Sequence, residues 1–287
     1  MPPYALSSWC RGPVDSPADF GRRASDLGAP AIALETTVAP GWLAELMSGR
    51  DTRALPVSAI EAPCPRPRGT RAPRLAATEK DERREAMAQT AATIELAQVT
   101  HARVVVLRLG RLDIRDGWSD SVQAFARGSW KTATAQRQLA ERRHLVARAL
   151  DQTRFALEPL LERAADAGVT LALANRARWF EVPDEVEIGV LLEDFRGAPL
   201  AAWFDAAAAH ARETMGHGRS ADTLAALAPR CAGAWLSDAA GLLGGLPWGC
   251  GEVERAALLA ALPESALPVV HVAPGATDDE LRAAIAA

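Results

Sequence analysis

Five side chains with chemical reach close short apolar runs of the sequence: Glu35, Glu61, Arg108, Asp205 and His271. A carboxylate enclosed by apolar walls holds its proton more tightly, which moves it toward the range useful for a general acid or base. Glu35, at the end of the run Ala31–Glu35, is one candidate base, and a salt bridge or loop hydrogen bond is its competing role. His271 can serve as acid, base or ligand, or can hydrogen-bond within a packed surface. Arg108 offers a permanent positive charge, because a guanidinium does not shed its proton at any working pH. Carboxylates, an imidazole and a fixed cation together suit proton transfer beside a carbonyl whose developing charge needs a partner.

A second group of residues suits binding. Trp9, Trp179, Trp235 and Trp248 fall at or just beyond the ends of apolar runs, where indole faces can stack on a sugar or another planar ligand. Tryptophan also fills cores, so each alone carries little. Asn175 and Arg176 can hydrogen-bond a hydroxyl or a carboxylate, and Asp238 either binds ligand or caps the turn that follows it. His210 reads as a helix-face residue. The stretch Gly244–Glu252 is glycine-rich, which admits close backbone approach to a ligand or simply makes a tight loop. Arg66, Arg68, Arg71 and Arg74 sit among prolines, as a solvated loop or a phosphate-binding patch.

The elements that must carry these residues alternate regularly. Candidate strands are Tyr4–Ser8, Ala31–Glu35, Leu55–Glu61, Arg103–Arg108, Val169–Ala174, Leu200–Asp205, Gly233–Leu236 and Val269–Val272. Their nearly continuous apolar character fits a parallel sheet covered on both faces. Between them lie helical patterns. One spans Asp81–Val99 with a capping box over Thr78–Asp81, one ends at Gly168, and the last opens on a capping box at Thr277. The stretch from Ala62 to Pro73 reads as a long loop, and residues 110–140 as a polar excursion with some helix. Eight strand-then-helix units in 287 residues predict a single (β/α)8 barrel, one domain over residues 1–287. A doubly wound open sheet is the structural alternative, and the lack of a G-x-G-x-x-G after the first strand counts against it.

Composition narrows the function classes. A formal net charge of −4 gives no general attraction to nucleic acid or anionic membrane. Cys10, Cys64, Cys231 and Cys250 are widely spaced, which argues against a zinc knuckle or a disulfide framework and for reduced thiols. No apolar run is long enough to span a membrane, and the N-terminal residues lack the pattern of a signal peptide. The expectation is a cytoplasmic protein with a small-molecule ligand.

Read in order, the segments SAIEAPCP, VVVLRLG, GVTLALANR, PLAAWFDAAAAHA, AWLSDAAG and WGCGEVE make the chain resemble the xylose-isomerase-like family. That superfamily holds sugar isomerases and epimerases together with the endonuclease IV type of DNA repair enzyme. The resemblance implies a TIM barrel and a site of His, Glu and Asp ligands for divalent metal at the strand ends. Carried over position by position, most of those ligands are replaced. Glu61 stands before Ala62-Pro63 where a His is usual, and Arg108 stands for another His. Ala174 replaces a Glu, Ala208 and Trp235 replace two further His, and His271 takes the place of the closing Glu, while Asp205 keeps its acid. Glu61, Asp205 and His271 could still supply three ligands. A fixed positive charge at Arg108 opposes that arrangement, so the expectation is a site without metal or other cofactor, in which Arg108 pairs with Glu61 and with Asp205. The function implied is a sugar isomerase or epimerase acting without metal. The alternative is a non-catalytic barrel that binds a small molecule or a partner protein. A DNA repair nuclease fits worst, because it would need the full metal cluster and a basic groove.

Overall fold

The computed structural model describes residues 3–11, 16–48, 56–66, 72–114 and 117–286. Leu55, Arg68 and Arg71 lie outside the described residues.

The barrel strands are β1 (Ala5–Ser7), β2 (Ala31–Leu34), β3 (Val57–Ala62), β4 (Val104–Leu107), β5 (Thr170–Ala174), β6 (Leu200–Asp205), β7 (Cys231–Leu236) and β8 (Leu267–Val270). Each pairs in parallel with its neighbours in sequence, and β8 closes on β1. The chain therefore folds as a (β/α)8 TIM barrel. Among the described residues no helix is long and apolar enough to cross a membrane.

Strand periodicity sorts side chains into two cores. Outward residues such as Leu6, Ile60, Leu107, Leu173, Phe204 and Val270 pack against the helix ring in one continuous cluster. Each large apolar side chain fully buried there contributes roughly 1.5–3 kcal/mol. Inward residues form a separate cluster of Ala5, Ala33, Ala59, Val104, Val106, Ala172, Ala174, Trp203, Trp235 and Val269. Alanine on the early strands makes room for two indoles, and Trp203 meets Trp235 edge-on with ring centroids 5.7 Å apart. Gly233 on β7 completes the fit, because a Cβ there would run into the Trp203 ring and lie 2.7 Å from the Leu267 carbonyl.

Local signals end the helices. The helix Lys80–Thr100 starts at Glu79, whose carboxylate accepts from the Glu82 amide, so the cap falls on Glu79 rather than on Thr78. The long helix Thr132–Ala167 stops at Gly168, which adopts φ 69° in the left-handed region that glycine tolerates. The last helix, Asp278–Ile285, carries the capping box on Thr277. The excursion after β4 contains the helix Trp118–Ala126 and the first turns of Thr132–Ala167. Two short antiparallel ribbons edge the barrel mouth, one pairing Gly110–Arg111 with Glu181–Val182 and the other Asp238–Ala240 with Leu243–Leu246. The second ribbon takes up the start of the glycine-rich stretch, which is thus not a plain loop.

Candidate active site

Extending each inward row by one strand period places a polar residue above the apolar interior. Ala5 leads to Ser7, Ala33 to Glu35, Ala59 to Glu61, Val106 to Arg108, Trp203 to Asp205 and Val269 to His271. In such barrels chemistry gathers on this C-terminal face. Register fixes the neighbours: Ala62 faces Leu107 across β3 and β4, and Asp205 faces Trp235 across β6 and β7.

Arg108 is the centre of the ring. Its Nε donates to Glu61 Oε1 at 2.8 Å and its Nη2 to Asp205 Oδ2 at 2.9 Å. Its guanidinium carbon sits 4.5 Å from the centre of the Trp235 ring, a cation–π contact from below. The third nitrogen, Nη1, makes no hydrogen bond among the described residues, and the side chain remains 41% exposed while both carboxylates are buried. Burial works against the charge on Arg108, but attraction to Glu61 and Asp205 outweighs it and raises the pKa further.

Asp205 is held in place by the backbone. It caps the helix Ala206–Thr214 by accepting from the Ala208 amide at 2.9 Å. Asn175 clasps its main chain, accepting from the Asp205 amide at 2.7 Å and donating to its carbonyl at 3.2 Å. Asn175 is thus a positioning residue whose amide is spent on the scaffold.

On the other side, Ser7 donates to Glu35 Oε1 at 2.9 Å, and His271 Nδ1 lies 3.2 Å from both the Ser7 hydroxyl and that carboxylate oxygen. The His271 ring lies between Trp235, stacked at 5.1 Å, and Trp9 at 4.5 Å. Burial pushes His271 down to about 4, against the opposing pull of Asp205 and Glu61, so its imidazole is neutral at ordinary pH. Glu61 is pushed up to about 8 by burial first and then by the charge of Glu35, while Arg108 and His271 pull the other way.

The ring thus joins Glu35, Glu61, Arg108, Asp205 and His271, with Trp9 and Trp235 against it. The other residues named from sequence sit elsewhere. Arg176 is buried, donates to the Arg178 carbonyl at 3.0 Å, and lies 3.6 Å from Asp184. Asp238 accepts from the amides of Ala239, Gly249, Gly251 and Val253 at 2.8–2.9 Å, which occupies both of its oxygens. Trp248 packs on the main core beneath Arg255, Trp179 is buried against Phe180, and His210 bonds Glu252 at 3.1 Å from its helix. Sequence reasoning misses Ser7, whose one signal is the parity it shares with Ala5 on the first strand.

Among the described residues, no group of three or more His, Cys, Asp or Glu side chains is arranged to hold a metal ion. Arg108 stands between Glu61 and Asp205 and takes the oxygens that would otherwise face a cation. The donor set present does not fit a divalent ion.

Two cavities open beside Arg108. One of about 200 Å³ is lined by Glu61, Arg66, Gln89, Thr90 and Arg108. The other, of about 310 Å³, lies where β5 contributes only the methyl group of Ala174 and runs under the Gly110–Arg111 ribbon.

No known sequence family matches the chain, and no curated protein matches it in sequence. Solved structures do match. A D-tagatose 3-epimerase-like protein superposes with TM-score 0.67 at 18% identity, covering 98% of this chain and 93% of the other. A zinc-bound IOLI protein gives TM-score 0.71 at 11% identity over 99% and 95% of the two chains. A xylose isomerase domain protein from Planctomyces limnophilus gives 0.61 at 15% identity over 100% and 96%. The chain shares the (β/α)8 TIM-barrel fold of these proteins.

Proposed function

We propose that the barrel is an isomerase or epimerase of a small sugar-like carbonyl compound and works without metal, in the cytoplasm, where its four free thiols stay reduced. The observation that carries this reading is the meeting of Glu61 and Arg108 in one cavity. A carboxyl group held near 8 is a strong base in its ionised fraction, and a fixed guanidinium beside it can hold an oxyanion.

The step follows from that pair. Ionised Glu61 takes the proton from the carbon next to the substrate carbonyl. The C–H electron pair moves into the carbon–carbon bond, and the carbonyl π pair moves onto oxygen, giving an enediolate. Nη1 of Arg108 donates to that oxygen, with Asp205 fixing the guanidinium. Glu61 then returns the proton to the neighbouring carbon while the proton of the adjacent hydroxyl passes to the enediolate oxygen, which completes an isomerisation; an epimerisation needs a second acid to protonate the same carbon from the opposite face. Glu35, Ser7 and His271 form the hydrogen-bonded backing that steers the Glu61 proton, and Trp9 and Trp235 supply apolar walls for the sugar carbons.

The test is proton exchange. Protein treated with chelator is incubated in deuterium oxide with a panel of ketoses and aldoses, and NMR follows deuterium entering the carbon next to the carbonyl. Exchange is expected with the substrate class, rising with pH toward about 8 as Glu61 ionises. Glu61→Gln should lower it by at least about a hundredfold, the usual scale for a general base. A compound that binds tightly and never exchanges would instead establish a non-catalytic binding barrel. Exchange that disappears with chelator and returns with added metal would mean that an ion, and not Arg108, holds the developing oxyanion.

A further inference from the structure

The larger cavity beside Arg108 has an unusual electrostatic lining. Among the described residues Arg66, Arg74, Arg108, Arg111 and Arg178 border it, against a single acid, Glu181. Several of these charges are already spoken for. Arg74 is paired with Glu82 at 2.7 Å and Asp113 at 2.6 Å, and Arg108 with Glu61 and Asp205. Arg66 differs: its side chain makes no hydrogen bond or ion pair among the described residues, and it borders both cavities. Arg178 is nearly as available. Its Nε lies 3.7 Å from Glu181, beyond hydrogen-bond range, while the other Glu181 oxygen accepts from the amides of Ala177 and Arg178. Its guanidinium stacks over Trp118 at 5.4 Å, which holds it at the rim.

Two such cations at one cavity, with the Arg108 edge between them and the base, describe a place for negative charge. We infer that the substrate carries a terminal anionic group, a phosphate or a carboxylate, which lies in the 310 Å³ cavity against Arg66 and Arg178 while its carbonyl end meets Glu61 and Arg108. This rests on the proton-transfer reading above and names the substrate class for it. The cavity volume suits a tail of a few heavy atoms, and the gap left by Ala174 is what admits it. Holding the far end of the substrate would place its reacting carbon by a group that takes no part in the chemistry.

Binding to the full chain is measured by calorimetry at low and physiological salt with four probes. These are D-fructose, its terminal phosphate ester, its terminal carboxylate (fructuronate), and inorganic phosphate. The anionic sugars are expected to bind at least about tenfold more tightly than fructose, with the advantage shrinking as salt rises. The tighter of the two identifies the anion. In Arg66→Gln/Arg178→Gln the ratio of anionic-sugar to fructose affinity should fall to about one. If the double variant folds poorly, Arg66→Gln alone serves, since it removes no ion pair among the described residues.

Equal affinity for neutral and anionic sugars overturns the anion site, and so does discrimination that survives in the variant. Neither result touches the proton-exchange reading if exchange is seen with the neutral sugar. Tight anion binding without exchange keeps the site and removes the catalysis. Inorganic phosphate binding as strongly as the phosphate ester would mark an adventitious ion only and overturn the proposal. No binding by any sugar overturns both readings together.

Discussion

At the residue scale, the two oppositely shifted groups of the mouth leave a signature in stability. Glu61 is raised from 4.5 to about 8, so its contribution is fully present below 4.5 and is lost as pH rises through 8. His271 is lowered from 6.5 to about 4, so its neutral ring contributes fully above 6.5, and that contribution is lost as pH falls toward 4. Between 4.5 and 6.5 the two effects oppose each other. Above 6.5 only Glu61 still titrates in this pair, so the melting temperature should decline from pH 6.5 to 8. Glu61→Gln keeps the shape and removes the ionisation, and its melting curve over this window should be flatter than that of the parent. A parent curve that is level or rising over the window would show that Glu61 is ionised well below 8. The proposed pH dependence of proton exchange would then move down with it.

At the element scale, one carboxylate fixes a long turn. Asp238 holds Gly249, Gly251 and Val253 from both of its oxygens, so a single side chain ties the chain after the second ribbon to the end of β7. Asp238→Asn replaces one accepting oxygen with an NH2 that faces amide donors. The expected cost is about 1–3 kcal/mol, as buried donors lose their acceptor. Amide hydrogen exchange at Gly249 and Gly251 should quicken while the barrel strands stay protected. Uniform loss of protection would instead show that the turn and the barrel open together.

Elements of this kind mark where the sequence stops being legible. The eight strands could be found because apolar runs and intervening helices repeat, and Asp205 and Glu61 could be placed because they end such runs. The ribbons could not, since pairing Gly110–Arg111 with Glu181–Val182 depends on contacts set by the closed barrel. Asp238 and Arg176 have the residue types of a binding site, yet their polar atoms are turned to backbone and to a buried ion pair. Sequence reports that a polar atom is present and leaves open which partner it meets. Ser7 escapes notice for the converse reason, because a strand-end serine looks ordinary until Glu35 and His271 are seen beside it.

At the scale of the whole molecule, the barrel interior is closed by an uneven division of volume. β1, β2, β3 and β5 contribute alanines, and β6 and β7 answer with Trp203 and Trp235. Trp235, packed against Trp203, is the surface on which Arg108 and His271 rest. Trp203 is fully buried and its Nε1 has no hydrogen-bond partner among the described residues, so it carries an unmet donor in exchange for filling the space. Trp203→Ala should cost about 3–5 kcal/mol, read as a lower urea midpoint, because the surrounding alanines cannot collapse into the void. Trp203→Phe should cost much less. It keeps most of the ring volume and discards the unsatisfied N–H, whose burial is unfavourable by about 1–3 kcal/mol. If the two substitutions cost the same, the six-membered part of the indole is not what holds the interior open. The fit between Trp203 and Gly233 would then matter less than the close approach of β7 to β8. If the phenylalanine variant is as stable as the parent but loses proton exchange, the interior supports the site through the level at which it carries Trp235 and Arg108, beyond its contribution to folding.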